Sequence, residues 1–266
     1  MGTPGSRPRL RLRAAFISDV HLGSRGCRAA DLLEFLRSIE VETLFLVGDI
    51  VDLWSMRRSF FWPQEHNDVL RTILGKAKEG CRVIYVPGNH DADLREFCGS
   101  VFGNLEMRRK YVHETAAGET LLVVHGDEFD AAVKFSPWLA RIGASAYDFT
   151  IWLNHYVNAL RRLCGARDWS LVAWLKTRMK NARDYIEAFE RTAAEAARRR
   201  GVDGIVCGHI HRAGIRVIDG VRYCNDGDWV ESCTALVEDM NGRIALWSWA
   251  EVRGRLDRHE WVEAAA

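Results

Sequence analysis

The chain has 266 residues, of which 48% are hydrophobic and 27% are charged, and its net charge is +1. This composition excludes a chain that is disordered throughout, and the near-neutral charge excludes a whole-molecule field that would attract nucleic acid or an acidic membrane. Seven scattered cysteines without a CxxC pair favour reduced thiols, and no apolar run approaches the roughly 20 residues that a membrane span needs. We therefore expect a soluble, cytoplasmic protein.

Apolar runs that are each followed at once by a polar block recur along the chain. After residues 1–9, which we predict to be a disordered leader, the runs predict buried strands over 10–17, 43–47, 82–86, 120–124 and 204–207, with helices over 31–38 and 67–79. The blocks after the strands are Asp19-Val20-His21, Gly48-Asp49-Ile50-Val51-Asp52, Gly88-Asn89-His90-Asp91, His125-Gly126-Asp127 and Gly208-His209-Ile210-His211. The alternation indicates an α/β protein, a class that carries its sites at the carboxyl ends of strands.

The tail of the chain has a different pattern. Apolar segments over 221–224, 234–237 and 244–247 are accompanied by the turn signals Asp219-Gly220 and Asn241-Gly242. Such dipeptides between short apolar segments are typical of hairpins. We predict that these β-hairpins close a second sheet.

A long segment between the fourth and fifth blocks interrupts the core. We assign residues 129–200 to a helical lid insertion, and residues 10–128 and 201–250 to the core. Apolar residues spaced by four and three make one stripe from Leu175 to Ala196, which is typical of a long amphipathic helix.

The insertion leaves the fold directly after one polar block and returns just before another, and this position favours a lid. Ordinary helix pairing with a solvated basic face is the alternative. The basic residues that we expect to bind substrate from the lid are Arg161, Arg162, Lys176, Lys180 and Arg183.

The polar blocks supply oxygen and imidazole donors and no thiolate. Such donors suit Mn²⁺, Fe or Zn²⁺, of which we expect Mn²⁺, and two adjacent cations can neutralise a phosphate and activate water. Because His209 and His211 alternate along an extended segment, their side chains need not bind the same cation. The blocks therefore predict a hydrolase that uses two divalent metal ions.

In these five blocks the chain resembles the calcineurin-like metallophosphoesterases, over residues from about 14 to 249 apart from much of the insertion. The resemblance implies a four-layer sandwich of two β-sheets flanked by helices, into which the helical lid is inserted. It also implies that Asp49 bridges two cations. The ligands that it implies besides Asp49 are Asp19, His21 and His211 for one cation, and Asn89, His125 and His209 for the other.

The resemblance also implies catalytic roles for two residues. In the family, a hydroxide that bridges the metals attacks phosphorus in line, while the His of Gly-Asn-His stabilises the developing charge or protonates the leaving group. His90 holds that position, and Asp52 is placed to orient it, since a carboxylate can fix the tautomer of an imidazole.

Within the family, the motifs look like those of the UDP-2,3-diacylglucosamine pyrophosphatases, which cleave a lipid-linked nucleotide sugar. The resemblance is carried by residues 18–23, Gly48-Asp49 followed by Trp54, residues 125–127, the helical insertion and residues 208–212. It implies that the lid shelters acyl chains and that the protein is peripheral at the cytoplasmic face of the inner membrane. The characterised enzymes carry Arg and Glu where this chain has His90 and Asp52.

That departure keeps other functions open. A phosphodiesterase or phosphomonoesterase acting on another nucleotide, phospholipid or sugar phosphate is the enzymatic alternative. A nuclease would use the basic lid, but the near-neutral net charge counts against nucleic acid as a partner. A metal-free interaction scaffold would be expected to have lost ligands, and this chain retains them all.

Other polar residues have simpler interpretations. We expect Asp91 and Asp127 to be helix caps or turn formers. The acids Asp226 and Asp228, with Trp229, either line the pocket or form a turn. The histidines that we expect to be ordinary core or surface residues are His66, His113, His155 and His259.

Overall fold

The computed structural model describes residues 9–130 and 180–258. Helices α1 to α5 cover Ala29–Ser38, Leu53–Arg58, Gln64–Lys78, Lys180–Arg200 and Trp249–Asp257. Strands β1 to β12 cover Leu10–Ile17, Ile39–Leu46, Arg82–Tyr85, Val101–Phe102, Leu105–Met107, Tyr111–Glu114, Thr120–Val123, Gly204–Cys207, Gly214–Ile218, Val221–Asn225, Thr234–Glu238 and Ile244–Ser248. Short 3-10 helices cover Ala92–Phe97 and Asp127–Phe129.

The strands form two sheets. The seven-stranded sheet has the order β12-β11-β1-β2-β3-β5-β4, and the five-stranded sheet has the order β6-β7-β8-β10-β9. The strands β1, β2, β3 and β5 are parallel, as are β7, β8 and β10, whereas the outer strands pair antiparallel. The prediction of two sheets flanked by helices is confirmed.

Burial on both faces explains why the central strands are continuous apolar runs. On β1, Phe16 belongs to a core that also holds residues of β7 and β8, while its neighbours Ala15 and Ile17 belong to a second core with residues of α1 and α3. Phe16 stacks on Phe45 of β2, its partner in register, with ring centroids 4.5 Å apart. Successive side chains point to opposite faces of the sheet, so a strand between two apolar layers needs apolar residues throughout.

The hairpin prediction is partly wrong. The Asp219-Gly220 turn joins β9 and β10 at one edge of the five-stranded sheet, but the hairpin of β11 and β12 extends the seven-stranded sheet through β1. The turn dipeptide selects the local pairing, whereas the sheet that receives the hairpin depends on long-range contacts. The strands β4, β5, β6 and β9 and the helices α2 and α5 were not predicted.

The chain divides into two compact units, Met1–Asp127 with Ala194–Ala266, and Glu128–Ala193. In the described part of the second unit, Phe189 of α4 packs edge-on against Phe129, and Tyr185 donates a hydrogen bond to Asp130. Most of the predicted insertion lies outside the described residues, so its role as a lid stays a prediction. No helix within 9–130 or 180–258 combines the length and apolarity that crossing a membrane requires.

Candidate metal centre

The five polar blocks meet where the carboxyl ends of strands from both sheets face each other. Hydrogen bonds between backbone groups join the loops: Asp19 N–H donates to Gly48 O over 3.0 Å, and Gly208 N–H donates to His125 O over 3.1 Å. The first bond joins the loops after β1 and β2, and the second joins the loops after β7 and β8. The parallel arrangement therefore brings together side chains that are far apart in the sequence.

Most of the predicted ligands adopt a backbone conformation that non-glycine residues rarely adopt. Among the described residues, seven non-glycine residues have a positive φ, and five of them are predicted ligands. They are Asp19 at 49°, His21 at 54°, Asp49 at 53°, His209 at 65° and His211 at 50°. Such conformations cost free energy and cluster at functional sites, so this concentration indicates a site.

The first group of side chains consists of Asp19, His21 and His211. Asp19 Oδ1 lies 3.1 Å from His211 Nε2 and 3.9 Å from His21 Nε2. One potential ligand atom from each of the three residues lies within 4.8 Å of the others. The structure thus brings together the three residues that were predicted to bind one cation with Asp49.

The second group lies around His125. Its Nε2 is 3.2 Å from Asn89 Oδ1 and 3.4 Å from Asp49 Oδ2, and its ring centroid is 5.1 Å from that of His209. The Nδ1 atom of His125 hydrogen-bonds Val47 O over 2.9 Å, which leaves Nε2 as the atom that faces the other donors.

Asp49 lies between the two groups. Its Oδ2 is 3.4 Å from His125 Nε2 and 3.9 Å from His21 Nε2, and its Oδ1 accepts the backbone N–H of His90 over 2.8 Å. Gly88 makes room for this carboxylate, since a Cβ there would lie 2.2 Å from Asp49 Oδ1. The position between the groups is the one that a bridging carboxylate requires.

The side chains fit divalent cations. Asp19 and Asp49 are buried, at 0% and 2% exposure, and a buried carboxylate needs a positive partner. Asp19 Oδ1 accepts no hydrogen bond of acceptable geometry from the described residues, so it is available to a cation. Two carboxylates, one amide and four imidazoles form a donor set suited to Mn²⁺, Fe or Zn²⁺.

The acidity of these groups reflects the same arrangement. Although burial disfavours its charged form, the pKa of Asp19 lies well below its usual range because His211 and His125 are close. The pKa of His125 lies well above its usual range, despite burial, because Asp49 and Asp19 surround it. In the metal-free chain the His125 imidazole therefore supplies positive charge, and cation binding would displace its proton.

Asp52 contacts two histidines at once. Its Oδ1 lies 2.9 Å from His90 Nδ1, as predicted, and its Oδ2 lies 3.3 Å from His21 Nδ1, which was not foreseen. The same carboxylate caps α2 by accepting Ser55 N–H over 2.8 Å. The pKa of His90 is raised, against the effect of burial, chiefly by the hydrogen bond to Asp52. The indole of Trp54 packs edge-on against the ring of His90, with centroids 5.1 Å apart.

Two acids near the centre make contacts beyond the helix caps or turns that we expected. Asp91 makes no capping hydrogen bond with its side chain; the carboxylate accepts Ile50 N–H over 2.9 Å, Gly88 N–H over 2.6 Å and the Tyr85 hydroxyl over 2.6 Å. It thereby joins the loops after β2 and β3.

Asp127 accepts two hydrogen bonds from Arg95, over 2.7 and 2.8 Å. Because Arg95 follows the loop after β3 and Asp127 follows β7, this ion pair joins the loop that carries Asn89 to the loop that carries His125.

The other residues considered, where they lie in the described part of the chain, have structural partners. His66 accepts Gly23 N–H over 3.0 Å, and His113 pairs with Glu238 over 2.6 Å. Asp228 is a turn former, because its carboxylate accepts backbone N–H groups of the three residues from 230 to 232. Trp229 is fully buried in the core against Phe35. His155 and His259 lie outside the described residues.

The predicted substrate-binding residues of the lid are mostly beyond the described part of the chain. Arg161, Arg162 and Lys176 lie outside it, and only the backbone of Lys180 is described. Arg183 is exposed on α4. Their contact with substrate stays a prediction.

Comparison with known proteins gives a consistent result. The family model for calcineurin-like phosphoesterases matches residues 12–213. A UDP-2,3-diacylglucosamine hydrolase of Pseudomonas paraeruginosa is 28% identical over 239 residues, which cover 85% of this chain and 95% of the relative. Relatives with the same name from Porphyromonas gingivalis and Neisseria gonorrhoeae are 25% and 26% identical, covering 83% and 80% of this chain and 92% and 88% of the relatives.

Proposed function

The chain belongs to the calcineurin-like phosphoesterase family, and from this premise we propose that it holds two divalent cations and hydrolyses a phosphoester or pyrophosphate bond. The observation that carries the proposal is the position of Asp49 between two groups of donors. Asp19, His21 and His211 would hold one cation with Asp49, and Asn89, His125 and His209 would hold the other. When bound, such a pair neutralises phosphate oxygens and acidifies water, which then serves as the nucleophile.

The side chains of this protein supply the remaining chemistry. The Nδ1–H of His90 donates to Asp52, so its other ring nitrogen, Nε2, is free to hold a proton for the leaving-group oxygen. The hydrogen bond to Asp52 raises the pKa of His90 against the effect of burial, which favours the form that holds this proton. Asp52 fixes both His90 and His21 in orientation, and so it couples the proton donor to a metal ligand.

The substrate that we propose is a lipid-linked nucleotide sugar such as UDP-2,3-diacylglucosamine. Support comes from relatives of that name, which align with this chain over at least 88% of their own length. The predicted lid, with its aromatic and basic residues, suits a substrate that carries a pyrophosphate and two acyl chains. Such a substrate would bring the protein to the cytoplasmic face of a membrane, where we expect peripheral contact.

A second candidate is a phosphodiesterase or phosphomonoesterase that acts on another nucleotide, phospholipid or sugar phosphate. The observation that favours it is the His90–Asp52 pair at 2.9 Å, at positions where the resembling lipid-sugar enzymes carry Arg and Glu. The pair restores the dyad of the wider family, so substrate choice can differ while the metal centre stays the same.

Turnover of two substrates tests both levels of the proposal. With Mn²⁺ present, the purified chain should hydrolyse UDP-2,3-diacylglucosamine and bis(p-nitrophenyl) phosphate, and the matched variant Asp49→Ala should hydrolyse neither. Activity on the second substrate alone would reject the lipid-linked substrate and favour the second candidate. Equal turnover by the wild-type chain and Asp49→Ala would reject the two-metal hydrolase itself.

A further inference from the structure

A hydrogen-bonded chain of side chains lies behind Asp19. Ser18 Oγ is 2.6 Å from Asp19 Oδ2 and 2.7 Å from Asp226 Oδ1, and all three residues are at most 1% exposed. The backbone of His209 donates to the same Asp19 oxygen over 2.8 Å. Gly208 leaves the space for this arrangement, because a Cβ there would lie 2.1 Å from Ser18 Oγ and 2.3 Å from Asp19 Oδ2.

The number of protons shared by Asp19, Ser18 and Asp226 decides the direction of the hydrogen bonds between them. A serine hydroxyl carries one proton, yet Ser18 Oγ lies within hydrogen-bonding distance of two carboxyl oxygens and, at 3.1 Å, of Gly227 O. A carboxylate that ligates a cation is ionised and can only accept. The 2.6 Å contact with Asp19 therefore uses the proton of Ser18, and the 2.7 Å contact with Asp226 needs a proton of its own.

The surroundings of Asp226 agree with a proton on its carboxyl group. Its Oδ2 is buried and accepts no hydrogen bond from the described residues, a situation that costs a neutral carbonyl oxygen far less than an anionic one. Burial raises the pKa of Asp226 well above its ordinary value, and the nearby charge of Asp19 acts in the same direction.

We propose that Asp226 is a positioning residue of the metal centre: a neutral carboxylic acid that donates to Ser18, whose hydroxyl in turn donates to Asp19 Oδ2. This direction of donation holds the Asp19 carboxylate in place and leaves Oδ1 for a cation. The inference rests on the proposed function, because it concerns a ligand of the same cations. It gives a role to a fully buried acid that does not belong to the donor groups.

Mn²⁺ affinity measures this role directly. Isothermal titration of the full chain should show that Ser18→Ala and Asp226→Ala each raise the Kd for Mn²⁺ by about 10- to 100-fold, as loss of an outer hydrogen-bond partner commonly does. Asp226→Asn should stay within about threefold of wild type, because its amide N–H replaces the donated O–H. The double variant Ser18→Ala/Asp226→Ala should be no weaker than Ser18→Ala, since the two residues act in series.

A matched control is available two residues further along. Asp228 is equally buried, but its carboxylate binds backbone N–H groups of its own turn. Asp228→Asn should lower the unfolding temperature and leave the Kd for Mn²⁺ within about threefold of wild type. Should Asp226→Ala fail to fold, Ser18→Ala and Asp226→Asn still carry the comparison.

Infrared spectroscopy tests the protonation state of Asp226 separately. The infrared spectrum of the wild-type chain at neutral pH should contain a carbonyl band of a protonated carboxylic acid that shifts in D₂O and disappears in Asp226→Asn. Absence of that band, or unchanged Mn²⁺ affinity in folded Ser18→Ala and Asp226→Ala, would overturn the inference about Asp226. The proposed function would still stand if the wild-type chain hydrolyses bis(p-nitrophenyl) phosphate. A wild-type chain that binds no Mn²⁺ would overturn both.

Discussion

Replacing Asp52 with serine or with alanine separates its two roles. The carboxylate contacts His90 over 2.9 Å and His21 over 3.3 Å, and it also caps α2 through Ser55 N–H over 2.8 Å. Serine is as good an N-cap as aspartate, but its shorter side chain cannot reach either imidazole. Alanine loses the cap and both imidazole contacts.

The expected magnitudes follow from these contacts. Both variants should lose on the order of 10²- to 10⁴-fold in kcat, because His90 is left without its orienting partner and the loss of a positioned proton donor has that effect. The free energy of unfolding should be about 1 kcal/mol lower for Asp52→Ala than for Asp52→Ser, which is the usual contribution of a capping side chain.

The assay combines Mn²⁺-supported hydrolysis of bis(p-nitrophenyl) phosphate with urea unfolding of the same preparations. We expect equal kcat values in the two variants and unequal free energies of unfolding. A serine variant that keeps more than about a tenth of wild-type kcat would refute the role of Asp52 in orienting His90, since such dyads contribute at least about 100-fold.

Three further changes have definite expectations. Glu238→Gln should lower the free energy of unfolding by about 3 kcal/mol in urea, because the fully buried Glu238 carboxylate pairs with Arg13 and hydrogen-bonds His113. Against the effect of burial, hydrogen bonds from His113 and from Ala116 N–H hold the pKa of Glu238 below its usual 4.5. The stability of the wild-type chain should therefore fall as the pH drops below that value, and the stability of the glutamine variant should fall less steeply. His209→Ala should abolish Mn²⁺-supported hydrolysis of bis(p-nitrophenyl) phosphate, and retained turnover would exclude His209 from the ligands. Charge reversal at Arg161 and Arg162 should raise KM for a large anionic substrate more than for a small one, whereas equal changes would exclude the lid from recognition.

The central strands could be predicted because burial on both faces of a sheet requires continuous apolar runs, which are visible in the sequence. The apolar runs over 10–17 and 204–207 coincide with β1 and β8, and the polar block after each run lies at the strand's carboxyl end. Short elements such as β4, with two residues, carry too little pattern to be recognised. The sheet that receives the hairpin of β11 and β12 could not be predicted, because turn dipeptides encode local pairing only.

Contacts between individual side chains of the site could be predicted only in part. The resemblance of the blocks to a known family implied that Asp49 and His125 would meet, and the structure places them 3.4 Å apart. The second contact of Asp52, with His21, and the link from Asp226 to Ser18 join residues 31 and 208 positions apart, without any local signal. The left-handed backbone of five ligands was equally unpredictable, since aspartate and histidine usually avoid that conformation.

The most direct test of the account is the number of Mn²⁺ ions that one chain binds. Native mass spectrometry and isothermal titration of the wild-type chain should both give two ions. Asp49→Ala, which removes the carboxylate between the two donor groups, should lose at least one of them and bind the other more weakly. A single ion in the wild-type chain, or two ions bound with unchanged affinity in Asp49→Ala, would contradict the two-metal centre on which the proposed chemistry depends.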